Sequence, residues 1–137
     1  MSNENTRFGT HFGCMDGRCQ AEAISLAKAT FGVDAIDNIT EPGIDGILAG
    51  ADHPLLSSEK RTELVAWIRD KAGVSVNGHQ STQALITGHC DCKGNPVDLE
   101  SHMDHLRAAR LEVMGWGIFA EVRTAVFDEK FGLKILD

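Results

Sequence analysis

A chain of 137 residues, 42% hydrophobic and 24% charged, has enough material for one domain with a proper core and too little for two. Its formal charge of −7 argues against nucleic-acid binding through phosphate contacts and against attachment to anionic lipid, since both need a basic face. No apolar run approaches the roughly 20 residues of a membrane span, and Met1 to Arg7 is polar without a signal-peptide core, so a cytoplasmic setting is expected.

Phe8 to Gly13 is a short apolar run ending at Cys14 and predicts the first strand. Ala21 to Phe31 places Ile24, Leu26, Ala27 and Phe31 at helical spacing, and Gly32 stops the helix. Val33 to Ile39 predicts a second strand, and Thr40-Glu41-Pro42-Gly43 must turn because Pro-Gly is strong punctuation. Ser58 is the expected N-cap of a helix from Glu59 to Ala72, along which Leu64, Trp67, Ile68 and Lys71 follow helical spacing. Ala84 to Thr87 reads as a buried strand that runs straight into Gly88-His89-Cys90-Asp91-Cys92. Asn95 as cap and Pro96 at the first position predict a last helix, with Leu99, Met103, Leu106, Arg110 and Val113 on one face and its end at Gly115. Ile118 to Phe127 predicts a long strand, and Gly132 with Leu133 to Leu136 offers it an antiparallel hairpin partner.

Strands alternating with helices predict a single α/β domain over residues 1–137, built on a mostly parallel sheet flanked by helices and closed by a C-terminal antiparallel hairpin. Such sheets bind ligands beyond the carboxyl ends of their strands. Cys14 and His89 both follow predicted strands, so they are expected at one edge of the sheet although 75 positions separate them.

The chemistry-bearing residues fall in the same two places. The four cysteines form two tight groups, Cys14/Cys19 and Cys90/Cys92, and clustered reduced thiols with a histidine among them suggest metal before disulfide. Cys14-Met15-Asp16-Gly17-Arg18 sets a thiol, a carboxylate and a guanidinium at alternating positions, where Asp16 can meet both Arg18 and a metal on Cys14. His89-x-x-Cys92 is a spacing at which one turn closes two ligands on one ion. Thiolates with imidazole suit zinc, and three protein ligands leave a fourth position for water or substrate.

The pair of motifs, cysteine-x-aspartate-x-arginine and histidine-x-x-cysteine with Gly88 before the histidine, resembles the β-carbonic anhydrases over about Phe8 to Leu136. The resemblance implies that Cys14, His89 and Cys92 hold zinc and that zinc-bound hydroxide reversibly hydrates carbon dioxide to bicarbonate. Two thiolates make this zinc a weaker acid than one on three histidines, so the pocket must help lower the pKa of its water. The resemblance implies one of two arrangements: Asp16 orients the hydroxide while Arg18 holds it off the open metal position by a charge-assisted contact, or Asp16 itself takes that position as the fourth ligand.

The chain also departs from the family pattern. Gly17 stands where the family has serine, and Thr40-Glu41-Pro42-Gly43 keeps only the glycine of an Arg-Asn-Ala-Gly stretch. Lys93, then Gly94, follows the second metal cysteine where the family favours glycine. Only 13 residues precede Cys14, so the long arm that wraps a partner subunit is expected to be missing, and there is no tyrosine for the pocket. The family's site lies where subunits meet; a homodimer or higher homo-oligomer is therefore expected through sheet edges or helix faces.

Other readings of the same residues stand beside these. The thiols and His89 could simply pack, or all four cysteines could close a structural site, though Cys90 and Cys92 sit too near each other for comfortable geometry. Asp16 and Arg18 could be a surface ion pair. Cys19 and Cys90 read as bystanders, His102 and His105 as solvated, and His11, His53 and His79 as surface or turn residues. Trp67 and Trp116 read as core, and Glu41 either belongs to its turn or approaches the site. The alternative functions are hydrolysis of carbon disulfide or carbonyl sulfide on the same fold, or a zinc-binding homologue without catalysis.

Overall fold

The computed structural model describes residues 5–137, so of the polar N-terminal segment residues 1–4 lie outside the described part. In chain order the elements are β1 (Phe8–Gly13), α1 (Gln20–Phe31), β2 (Ala35–Thr40), α2 (Ile44–Ala49), α3 (Ser58–His79), β3 (Gln83–His89), α4 (Leu99–Gly115), β4 (Glu121–Phe127) and β5 (Leu133–Ile135). They form one five-stranded sheet in the order β2-β1-β3-β4-β5. All neighbours are parallel except β4 and β5, where Phe127 faces Leu133 in an antiparallel pair. The α/β class, the mostly parallel sheet and the closing antiparallel pair are those expected from the sequence. Among the described residues no helix is long and apolar enough to cross a membrane.

Alternation along the strands divides the core between the two faces of the sheet. Phe12, Ile86, Val122 and Val126 pack with Ile44, Ile47, Ile68, Leu106 and Val113 of α2, α3 and α4. Side chains of the opposite parity, Leu85 and Ala125, pack with Ala27 of α1 instead. Burying a side chain such as Phe12, Ile86 or Leu106 completely contributes roughly 1.5–3 kcal/mol each. Because β1 connects to β2 on one side and the chain then crosses back to β3 on the other, strand order reverses between β1 and β3. In open sheets of this kind such a reversal is where ligands bind, beyond the carboxyl ends of the two strands.

Several boundaries differ from the sequence reading, each for a local reason. The cap of α3 is Ser57, whose hydroxyl accepts the Lys60 N–H at 3.1 Å, so Ser58 is already helical. The helix runs on past Ala72 to His79, and its last turns are fastened to the sheet: the Ser75 hydroxyl donates to Asp37 at 2.6 Å and meets Thr10 at 2.7 Å. Asp98, not Asn95, caps α4, accepting the Ser101 N–H at 2.8 Å, so Pro96 precedes the helix. β4 starts at Glu121, leaving Ile118 and Phe119 to pack against the core from a loop. The short helix α2 has no counterpart in the sequence reading. Trp116 packs on the core as expected, in a T-shaped pair with Phe12, but Trp67 is 56% exposed on α3.

Candidate metal centre

β1 and β3 lie side by side and end at the same edge, which brings Cys14, the residue after β1, next to His89, the last residue of β3. The turn after β3 returns Cys92 to the same point. One ligand atom from each of Cys14, His89 and Cys92 lies within 4.8 Å of the other two, and all three residues are buried. The two sulfurs are 3.8 Å apart.

The donor set and its orientation fit a zinc ion. His89 Nδ1–H donates to the Cys90 carbonyl at 2.7 Å, which turns the Nε2 lone pair toward the sulfurs. That Nε2 is buried and has no hydrogen-bond partner among the described residues, a condition that costs on the order of 1–3 kcal/mol when nothing satisfies the atom. Two thiols and an imidazole nitrogen at this separation are the groups zinc prefers.

The contact with Cys92 pulls the Cys14 thiol well below its ordinary range against the effect of burial, and His89 and the Gly43 N–H add to the pull. Cys92 is pushed up by the same contact and by burial. His89 is raised as well: burial works against its charged form, but the Cys14 thiolate and the Cys90 carbonyl outweigh it.

Asp16 and Arg18 sit at the mouth of this cluster. Arg18 Nη2 reaches Asp16 Oδ2 at 2.7 Å, its Nε reaches Oδ1 at 3.1 Å, and its backbone N–H donates to Oδ1 at 2.9 Å. This grip, first of all the guanidinium, lowers Asp16 to about 2. The same carboxylate lies 3.9 Å from His89 Nε2, so it faces the ligand cluster as well as Arg18.

Backbone contact shapes the floor. Gly43 has φ +67°, and a Cβ on it would fall 2.4 Å from the Gly94 carbonyl carbon; one on Gly94 would fall 2.4 Å from that of Pro42. The two loops cross with no room for a side chain, and the Gly43 N–H points at Cys14 Sγ, 3.4 Å away. Glu41 turns away from the ligands and pairs with Lys71 of α3 at 3.0 Å.

Two polar networks that the sequence reading missed brace the centre, one running from exposed Asn38 and half-buried Gln20 in to buried His11 and the other buried around Asp45. In the first, Gln20 Nε2 donates to the carbonyls of Cys14 at 2.6 Å and Asp16 at 3.3 Å, which fixes its amide so that Oε1 must accept from Asn38 Nδ2 at 2.6 Å. Asn38 Oδ1 then accepts from His11 Nδ1–H at 2.7 Å, and the bare His11 Nε2 accepts from the Thr87 hydroxyl at 2.8 Å. His11 is thus a buried residue of β1, 1% exposed, and not the surface residue expected from the sequence. Burial lowers its pKa to about 4, with the Asn38 bond opposing.

In the second network, Asp45 of α2 accepts from His102 Nδ1–H at 2.6 Å and from Asn95 Nδ2 at 3.1 Å. His102, expected to be solvated, is fully buried because it serves this carboxylate, while His105 is half-buried against Asn95. No local pattern in the sequence announces either network, because the partners lie 18 to 76 positions apart, apart from the short Gln20 and Asn95–His105 links.

The remaining candidates fall outside the centre. Cys19 packs with Ala23 and Phe127, and burial raises it to about 12. Cys90 is buried beside the ligands but is no part of their cluster, so the four cysteines do not converge on one point among the described residues. His53 is a turn residue that donates to the Pro42 carbonyl at 2.8 Å, and exposed His79 donates to Asp37 at 2.8 Å. A cavity of about 480 Å³ lined by residues of α2, α3 and α4, among them Arg61, Arg69 and Trp116, contains none of the candidate ligands.

A family model described as putative carbonic anhydrase matches residues 4–137. No curated protein matches the chain in sequence. Among solved structures, a β-carbonic anhydrase, CafA of the fungal pathogen Aspergillus fumigatus, is similar at 16% identity over 96% of this chain and 76% of that one, with a TM-score of 0.41.

Proposed function

The chain belongs to the putative carbonic anhydrase family, and from that premise we propose that it is a zinc-dependent carbonate dehydratase, interconverting carbon dioxide and bicarbonate. The observation that carries the reading is the buried convergence of Cys14, His89 and Cys92 around an imidazole nitrogen with no hydrogen-bond partner among the described residues. These three residues would hold the ion. When bound, zinc supplies a Lewis acid that lets water act as a nucleophile near neutral pH.

The chain's own groups account for the rest. Asp16, kept anionic by Arg18, is an acceptor beside His89 Nε2 and can take a hydrogen bond from a water brought there, fixing which lone pair faces the substrate. Arg18 keeps that carboxylate turned toward itself, so that Asp16 acts as an acceptor and not as a further ligand. The crossing of Gly43 with Gly94 excludes side chains from the floor, and the Gly43 N–H stabilises negative charge on Cys14.

The reading includes a cytoplasmic setting, where thiol ligands stay reduced, and a homo-oligomer. Exposed Trp67 and Val74 on α3, with Leu111 and Met114 on α4, offer apolar surface for such contacts. Stopped-flow carbon dioxide hydration, with zinc measured on the same sample and mass by light scattering, tests it. Zinc near one per chain with hydration that chelation abolishes is the expected result. A zinc-loaded chain that hydrates no carbon dioxide at any pH would overturn it in favour of a sulfur-analogue substrate or a non-catalytic role.

A further inference from the structure

Three non-glycine residues among those described have left-handed backbone, Gln80, Asp91 and Phe131, and two of the three touch Arg18. A bulky residue held at φ +59°, as Phe131 is, costs energy and persists only where its surroundings fix it. Here the turn between β4 and β5 does so. Phe131 N–H donates to the Asp128 carbonyl at 2.9 Å, and the Asp128 carboxylate accepts from the N–H groups of Lys130 and Gly132, both at 2.9 Å. The turn lays the Phe131 ring under the Arg18 guanidinium, 4.4 Å from its central carbon, with the His89 ring 5.9 Å away. From the other side Asp91, at φ +55° in the loop between His89 and Cys92, accepts from Arg18 at its carboxylate (3.3 Å) and its carbonyl (3.2 Å).

Arg18 is half exposed, and its long side chain would otherwise sample many rotamers. An aromatic face below and an acceptor loop beside it leave the orientation in which the guanidinium meets both oxygens of Asp16. We infer that Phe131, together with Asp91, is a positioning residue that clamps Arg18 onto Asp16 and so keeps the carboxylate from becoming a fourth ligand. This rests on the metal reading above and extends it to the turn of the C-terminal hairpin.

Phe131→Leu keeps the apolar bulk and the left-handed backbone but removes the aromatic face, and Phe131→Trp restores that face. In metal-free protein, hydrogen exchange of Arg18 Nε–H followed by nitrogen-15 NMR should quicken about two- to fivefold in Phe131→Leu and return toward wild type in Phe131→Trp. In cobalt-loaded protein, thiocyanate binding read from the visible spectrum should weaken by a similar factor, about two- to fivefold, because Asp16 competes for the position. That weakening should vanish in an Asp16→Ala background, which a merely structural role for the ring would not produce. Exchange and thiocyanate affinity that stay at wild-type values in Phe131→Leu, or a loss of affinity that persists in full without Asp16, would overturn the clamp. Failure of the wild-type chain to take up cobalt or zinc would strike the metal reading instead, and the exchange rates would still decide whether Phe131 holds Arg18.

Discussion

Replacing His11 by glutamine should flatten the acid limb of the stability curve. A glutamine amide can donate to Asn38 and accept from Thr87, so the variant keeps the sense of both hydrogen bonds while losing the titration. In wild type the unfolded imidazole takes a proton below about 6.5, whereas burial holds the folded one at about 4. Between those values the unfolded state binds more protons, so stability falls as pH falls and is fully present only above the unfolded value. At about pH 5 the linkage amounts to ~2 kcal/mol relative to about pH 7.5, a large share of the ~5–15 kcal/mol that holds a domain of this kind together. Urea unfolding followed by fluorescence of the two tryptophans, at both pH values and with chelator present, measures it. Carboxylates held low in the fold, Asp16 among them, also weaken in acid, but they do so in both proteins. The difference between wild type and variant therefore isolates the imidazole. Parallel pH dependences in the two would show that His11 is not buried as a neutral base, and the chain of amides running from it to the Cys14 carbonyl would lose its fixed orientation.

Other perturbations separate the roles of neighbouring residues. Cys92→Ser should remove most bound zinc while Cys90→Ser leaves it nearly intact, as read by metal analysis after gel filtration; equal losses would break the ligand assignment. Asp16→Ala should retain zinc yet lower carbon dioxide hydration on the order of a hundredfold, and an unchanged rate would reduce the Asp16–Arg18 pair to a structural salt bridge. Gly94→Ala must displace backbone across the Gly43 crossing and should cost about 1–3 kcal/mol or more in urea unfolding, whereas Gly17→Ser, with nothing within 4 Å of the added carbon, should shift stability by less than about 0.5 kcal/mol.

What was legible in the sequence was what depends on near neighbours. The first strand, Phe8 to Gly13, has the bounds its apolar run predicted, and Gly32 ends α1 where expected. Cys14, His89 and Cys92 could be singled out because cysteine and histidine are rare and their spacing is local, and two parallel strands then bring the halves together. Where two residues offered the same local signal, the sequence could not choose. Asn95 and Asp98 are both good helix caps, and the decision falls to Asp45, which engages the Asn95 amide and leaves Asp98 to cap α4. The short helix α2 hid for a related reason: six residues containing Gly46 show no helical period. The burial of His11 and His102 was out of reach, because the side chains that engage these imidazoles inside the fold lie far away in the sequence. Those partners lie 27 and 76 positions away for His11 and 57 for His102.

The departures from the family pattern carry less weight once the contacts of each residue are traced. Within Thr40-Glu41-Pro42-Gly43, Glu41 pairs with Lys71 and the Pro42 carbonyl accepts from His53, so both face outward from the ligands. The link from this turn to Cys14 is the backbone N–H of Gly43. A left-handed residue that must also touch the Gly94 backbone cannot carry a side chain, and glycine is the element the turn retains. The second loop obeys the same rule, since the glycine after Cys92 is needed where the loops cross, and Lys93 in between is exposed. A site shaped by main-chain crossings leaves most nearby side chains free to vary without disturbing its donors. Under the proposed function that freedom has a use: the donors stay in place while the surface varies, and the Asp16–Arg18 pair, which a purely structural site would not need, is held further by Asp91 and Phe131 at the cost of left-handed backbone.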